Sequence, residues 1–145
     1  MGNSAITTTA SPVSALRQSK VILFTRDATT ADDTVGYTGV GFKPKTIIFT
    51  WAQASGANGL YWGMGMSGDD LTGSSVANNK TGVVADHDQS SGTIINVRTG
   101  GSVVSDRVVG ALDSYDTDGF TISWTKVGTA PSGTFRVAAL CLGGE

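Results

Sequence analysis

Asp86-His87-Asp88 sets the one histidine of this chain between two carboxylates, residue types that serve general acid–base chemistry or hold a metal ion. A metal would need further ligands from another loop, with Asp69 or Asp70 as the candidates. On a strand, neighbouring residues point to opposite faces, so the three side chains could not converge. In a loop they would simply be solvated. A structural or surface role is therefore expected. No nucleophile motif accompanies the histidine: there is no Gly-x-Ser-x-Gly elbow. Cys141 lies in Ala138-Ala139-Leu140-Cys141-Leu142 and reads as a buried, unreactive thiol.

Ser114-Tyr115-Asp116-Thr117-Asp118-Gly119 spaces oxygen side chains as a calcium loop does. The bidentate Glu of that motif would fall six residues after the Gly, where Thr125 stands, and a strand pattern follows instead of a helix. The segment reads better as a hairpin turn in which Asp118-Gly119 supplies a positive φ. Eleven Asp residues could supply the carboxylate pair of a glycoside hydrolase, but no spacing selects a pair. Gly63-Met64-Gly65-Met66 lacks the strand-to-helix context of a phosphate loop. No catalytic, cofactor-binding or metal-binding residue emerges, so neither an enzyme nor a bound cofactor is expected.

What remains is contact chemistry. Trp51, Tyr61 and Trp62 could form a sugar-stacking platform or a protein-contact hot spot, or could fill a core. Met64 and Met66 stand two apart, so on a strand they share a face and make a soft apolar patch suited to another chain. Residues 1–19 read as an extended N-terminal arm. Its uncharged stretch Ile6-Thr7-Thr8-Thr9 could order by adding to a sheet edge on a neighbouring subunit, or could be a frayed end.

These residues must be carried by strands. Of the 145 residues 20 are Gly and only 15% are charged, with Glu145 the one glutamate. A chain so poor in Glu and Lys lacks the usual outer surface of helices. Apolar and β-branched runs recur at short intervals from Lys20 to Leu142, and Phe120, Ile122 and Trp124 alternate with Thr and Ser as one core-facing row. Seven to nine strands, separated by loops rich in Gly, Ser, Asn and Asp, predict an all-β fold. The expected architecture is an antiparallel, jelly-roll-like β-sandwich over residues 20–145, a single domain with the arm before it.

The same composition narrows the partners. One Cys excludes an intrachain disulfide, and one His with one Cys excludes a zinc site of several such ligands. The formal charge of −2, with no Lys or Arg block, gives no basis for binding nucleic acid or an anionic membrane. No apolar run reaches the roughly 20 residues of a membrane span. Met1-Gly2-Asn3-Ser4 shows no basic region leading into an apolar stretch, so a secretory signal is not expected there.

Three segments carry a resemblance. Gly39-Val40-Gly41-Phe42-Lys43-Pro44-Lys45-Thr46-Ile47-Ile48-Phe49, then Ala111-Leu112-Asp113-Ser114-Tyr115-Asp116-Thr117-Asp118-Gly119-Phe120-Thr121-Ile122-Ser123-Trp124, and the ending Ala138-Ala139-Leu140-Cys141-Leu142-Gly143-Gly144, are similar to small structural proteins of bacteriophages and prophages. The similarity covers most of residues 36–144 and leaves the arm unmatched. It implies a β-sandwich used as a repeated building block of a virion, assembled in the host cytoplasm, with no catalytic motif. On that footing the chain is expected to be a capsid decoration or cement protein. Its partners would be the major capsid protein and other copies of itself, as a trimer or dimer. The other reading is a tail or fibre module that binds host glycan. A hydrolase using an Asp pair is the third.

Overall fold

The structure, a computed structural model, describes residues 18–55, 59–81, 84–98, 106–129 and 131–143. Ten strands are found among them: β1 (Gln18–Asp27), β2 (Asp33–Thr38), β3 (Thr46–Ser55), β4 (Gly59–Ser67), β5 (Gly73–Thr81), β6 (Val84–Ser91), β7 (Ile95–Arg98), β8 (Arg107–Asp116), β9 (Gly119–Val127) and β10 (Thr134–Gly143). Six of these form one sheet in the order β1-β10-β3-β4-β5-β6, and four form the second, in the order β2-β9-β8-β7. Every pairing is antiparallel. The two sheets pack face to face as the expected β-sandwich.

The core follows from strand alternation. Phe120, Ile122 and Trp124 of β9 are buried, as are Phe135, Val137, Ala139 and Cys141 of β10. An aromatic chain crosses between the sheets. Phe24 of β1 lies 4.0 Å from Tyr37 of β2, ring centre to ring centre; Tyr37 stacks on Phe120 at 5.3 Å; and Phe49 of β3 meets Phe120 edge-on at 5.6 Å. Each such contact adds about 0.5–1.5 kcal/mol beyond the area it buries.

Three strands occupy stretches that the sequence presents as loops. β2 (Asp33–Thr38) has only Val35 and Tyr37 to bury, and it lies at the edge of the smaller sheet. β5 turns Ser75 and Ala77 inward, and β6 bears no large apolar residue after Val84. Small inward residues suffice because β7 and Ile94 lie close against this part of the larger sheet. A Cβ on Gly73 would stand 2.7 Å from the Ile94 side chain. At the other end, β1 begins at Gln18, opposite Gly143, so the last two residues assigned to the arm belong to the sandwich. Ile6, Thr7, Thr8 and Thr9 lie outside the described residues.

The β8–β9 hairpin corrects one expectation. Asp116 pairs with Gly119, so Thr117 and Asp118 form the turn and Gly119 opens β9. Gly119 does not have a positive φ; among the described residues that conformation belongs to Leu71 and to Gly39, Gly41, Gly92, Gly128 and Gly133. Glycine is required at 119 for a different reason. A Cβ there would meet the carbonyl oxygen of Tyr37 at 1.9 Å, so only glycine lets β2 and β9 approach.

Candidate functional site

The carboxylates are mostly engaged within the fold. Asp27 Oδ1 accepts from the backbone N–H and hydroxyl of Thr29, and Asp70 Oδ1 does the same with Thr72. These bonds hold both carboxyls below the usual range. The backbone N–H is the larger cause at Asp27, and the hydroxyl at Asp70. Asp32 accepts from the Lys126 amide, Asp106 from the Thr129 amide, and Asp116 from the hydroxyls of Ser114 and Thr121. Asp118 accepts from the amides of Gly39 and Gly41. Asp has the short reach that loops need to satisfy nearby backbone donors, which is why a chain with one Glu carries eleven Asp.

The histidine cluster is divided by its strand. In β6 the exposed His87 pairs across from Asn78, and the next residue, Asp88, turns to the opposite face. Asp88 Oδ2 accepts from Asn96 Nδ2 at 2.9 Å and lies 3.5 Å from Arg98 Nη1. Asp88 thereby ties β6 to β7. The calcium-like segment serves its own hairpin through Asp116 and the loop before β3 through Asp118. Cys141 is fully buried between the sheets, and burial pushes its thiol up to about 11.

Strand register also separates the aromatics. Trp51 and Tyr61 face the interior at 3% and 8% exposure, while Trp62 faces outward at 50%. With it on β4 stand Leu60, Met64 and Met66, all exposed. The inward positions of the same strand are Tyr61, Gly63, Gly65 and Ser67. The usual arrangement is thus reversed: beyond Tyr61 the bulky side chains point to solvent and the glycines point to the core. Two neighbours leave no alternative. A Cβ on Gly63 would stand 2.2 Å from the Trp51 ring, and one on Gly65 would stand 1.9 Å from the Ile94 carbonyl oxygen.

The outer face of the six-stranded sheet is therefore largely apolar from β1 through β4 and turns polar toward the β6 edge. One row of the register runs Leu23, Ala138, Thr50, Met64, Val76, Gln89. The next runs Val21, Leu140, Ile48, Met66, Ser74, Ser91. Among the described residues eight large apolar side chains are exposed, and all but Leu71 lie on this face, with Leu23 the most open at 76%. Across its middle runs a groove of about 700 Å³ whose walls include Leu23, Trp62 and Met64 and whose floor includes Thr50, Ala52 and Ala138. Arg136 supplies its one charged group. The outer face of the four-stranded sheet is more polar. Thr34, Thr38, Thr121, Ser123 and Thr125 stand there beside Val109 and Ala111, and Thr34 and Ser123 share a hydrogen bond of 3.3 Å. Proteins that remain alone in water avoid a contiguous apolar patch of this extent.

Sequence reasoning placed Met64 and Met66 on one face but missed the contribution of Val21, Leu23, Leu60 and Val76. A signal was present: β1, β3 and β10 are apolar at both parities, and a two-layer sandwich covers only one of them.

The chain matches no protein-family model, no curated protein and no solved structure in the comparisons made with each.

Proposed function

We propose that this protein acts by contact, as a structural part of a bacteriophage particle, and that it is a capsid decoration protein binding the shell of the major capsid protein. The observation that carries the contact role is the exposed apolar face of the six-stranded sheet, bearing Leu23, Trp62, Met64 and Met66. Burying a Leu, Met or Val side chain yields roughly 1.5–3 kcal/mol, so a few of them seated on a partner make a stable attachment. The particle is what the resemblance of most of residues 36–144 to small phage structural proteins implies. The composition is consistent with this reading, because a cement protein needs a rigid body and adhesive surfaces and no reactive group.

The tail or fibre reading draws on the same surface. Of its three aromatics, Trp62 alone is open to a glycan, with Arg136 in the same row two strands away, across Ala52. Counting copies on purified particles separates the two readings. A number close to an integer multiple of the capsid asymmetric units is expected. A handful of copies per particle would move the protein to the tail, and Trp62→Ala would then be expected to abolish binding on a glycan array.

A further inference from the structure

The outer face carries both a ridge and the groove that would receive it. The ridge is β4, with Trp62, Met64 and Met66 pointing outward. The groove lies between this ridge and β1, over the small outward residues of β10 and β3, namely Ala138, Thr50 and Ala52. From β1 to β4 is three strand spacings, about 14 Å, wide enough to seat one row of Met and Trp side chains. A face that holds knob and hole side by side is complementary to itself under a twofold rotation.

We infer that the occupant of this face is a second copy of the same chain, docked sheet against sheet about a twofold axis, with the β4 ridge of each copy in the groove of the other. This rests on the contact role proposed above and names the partner of that surface. Two observations favour a copy over an unrelated protein, and the twist common to all β-sheets permits the stacking, at about 30°. The whole face, polar β5–β6 margin included, spans five strand spacings by about eight residues, roughly 24 by 26 Å; with side-chain relief this approaches the ~800 Å² per partner of a stable interface, whose rim is ordinarily polar. Charge at the groove is confined to Arg136, so no charge complementarity calls for a partner of opposite sign. The dimer would then be the unit presented to the shell, with the apolar face as the contact that joins its two copies.

The test is sedimentation of the full chain across a dilution series. Wild type is expected at twice 14.8 kDa, dissociating on dilution. Met64→Lys places a charge on the ridge without touching the core and should weaken association by about 30-fold or more. Ala138→Trp keeps the face apolar but fills the groove from its own chain, and should also yield monomers. A wild-type monomer or trimer, or an Ala138→Trp variant that dimerises like wild type, would overturn the inference. Particle binding tells its failure from that of the proposed function. A monomer that decorates particles at full copy number, and loses them with Met64→Lys, overturns the second copy alone. A dimer found at only a handful of copies per particle overturns the decoration role alone.

Discussion

Trp51 and Gly63 sit opposite each other in neighbouring strands, and the indole of the first occupies the space that a side chain on the second would need. That relationship determines which side of β4 faces solvent. With residue 63 forced to glycine, Trp62 and Met64 have no inward alternative, and the apolar face is the consequence. Gly63→Ala is expected to destabilise the fold by about 1–3 kcal/mol through overpacking. Gly65→Ala should cost more, because a Cβ there stands 1.9 Å from the Ile94 carbonyl oxygen, closer than the 2.5 Å that separates one on Gly63 from the Val76 carbonyl oxygen. Urea midpoints measure both, and an unchanged midpoint for Gly63→Ala would show that the Trp51 indole and the Val76 backbone both give way.

Arg26 joins the two sheets. Its Nη2 donates to Asp33 Oδ1 at 2.7 Å and to the Ala31 carbonyl at 3.2 Å, and its guanidinium lies 4.6 Å from the centre of the Trp124 ring. Asp33→Ala leaves this nearly buried cation without its carboxylate. The expected cost is about 1–3 kcal/mol, below that of a fully buried pair because the Asp33 side is open to water. Arg26→Met removes the charge but keeps the packing stem, and should cost less than Asp33→Ala. A double variant more stable than Asp33→Ala alone would confirm that the stranded charge is the main penalty.

Asp118 connects the tip of the β8–β9 hairpin to the loop that leads into β3. Its carboxylate accepts from Gly39 and Gly41, and its carbonyl accepts from Val40 at 3.2 Å. Gly39 and Gly41 both have a positive φ, which presents their amides to it. Asp118→Ala should cost about 1–2 kcal/mol and Asp118→Asn less, since the amide retains one acceptor oxygen. Hydrogen exchange at the Gly39 and Gly41 amides reads this directly. Protection equal to wild type in Asp118→Ala would show that these amides have another partner.

Cys141 gives the fold a defined alkaline weakness. Its thiol ionises at about 11 in the folded chain, against 9.0 for the ordinary group, because burial disfavours the thiolate. The folded state thus holds the proton more tightly than the unfolded one. The stability this contributes is complete below pH 9 and is lost as pH rises through 11, approaching roughly 3 kcal/mol at about 1.4 kcal/mol per unit. The stability advantage of wild type over Cys141→Ala should therefore shrink between pH 9 and 11. A constant difference across that range would show that the thiol is not desolvated. At pH 8 a thiol reagent should label Cys141 only after denaturation.

Much of the fold is legible in the residues themselves. β9 announces its inward face by strict alternation, while the compact apolar runs of β1, β3 and β10 announce strands but not which side faces inward. β2, β5 and β6 announce neither, because their inward positions are few or small. Ser75 and Ala77 suffice where a neighbouring strand lies close, and nothing local records that closeness. The Asp-rich stretches read as loops for a sound reason, since Asp caps turns, yet Asp88 lies within a strand and serves to tie β6 to β7.

The sequence by itself determined the class of fold, the parity of each apolar row and the scarcity of groups able to do chemistry. These follow from side-chain type and the period of two along a strand, which are local properties. It could place Met64 and Met66 together, because residues two apart always share a face. Tertiary structure alone decided which face that is. A period of two says that Trp62 and Gly63 point opposite ways and is silent on which points inward. The choice was made by the Trp51 ring and the Ile94 carbonyl, far apart in the chain, which fill the interior beside β4 and leave its large side chains facing outward.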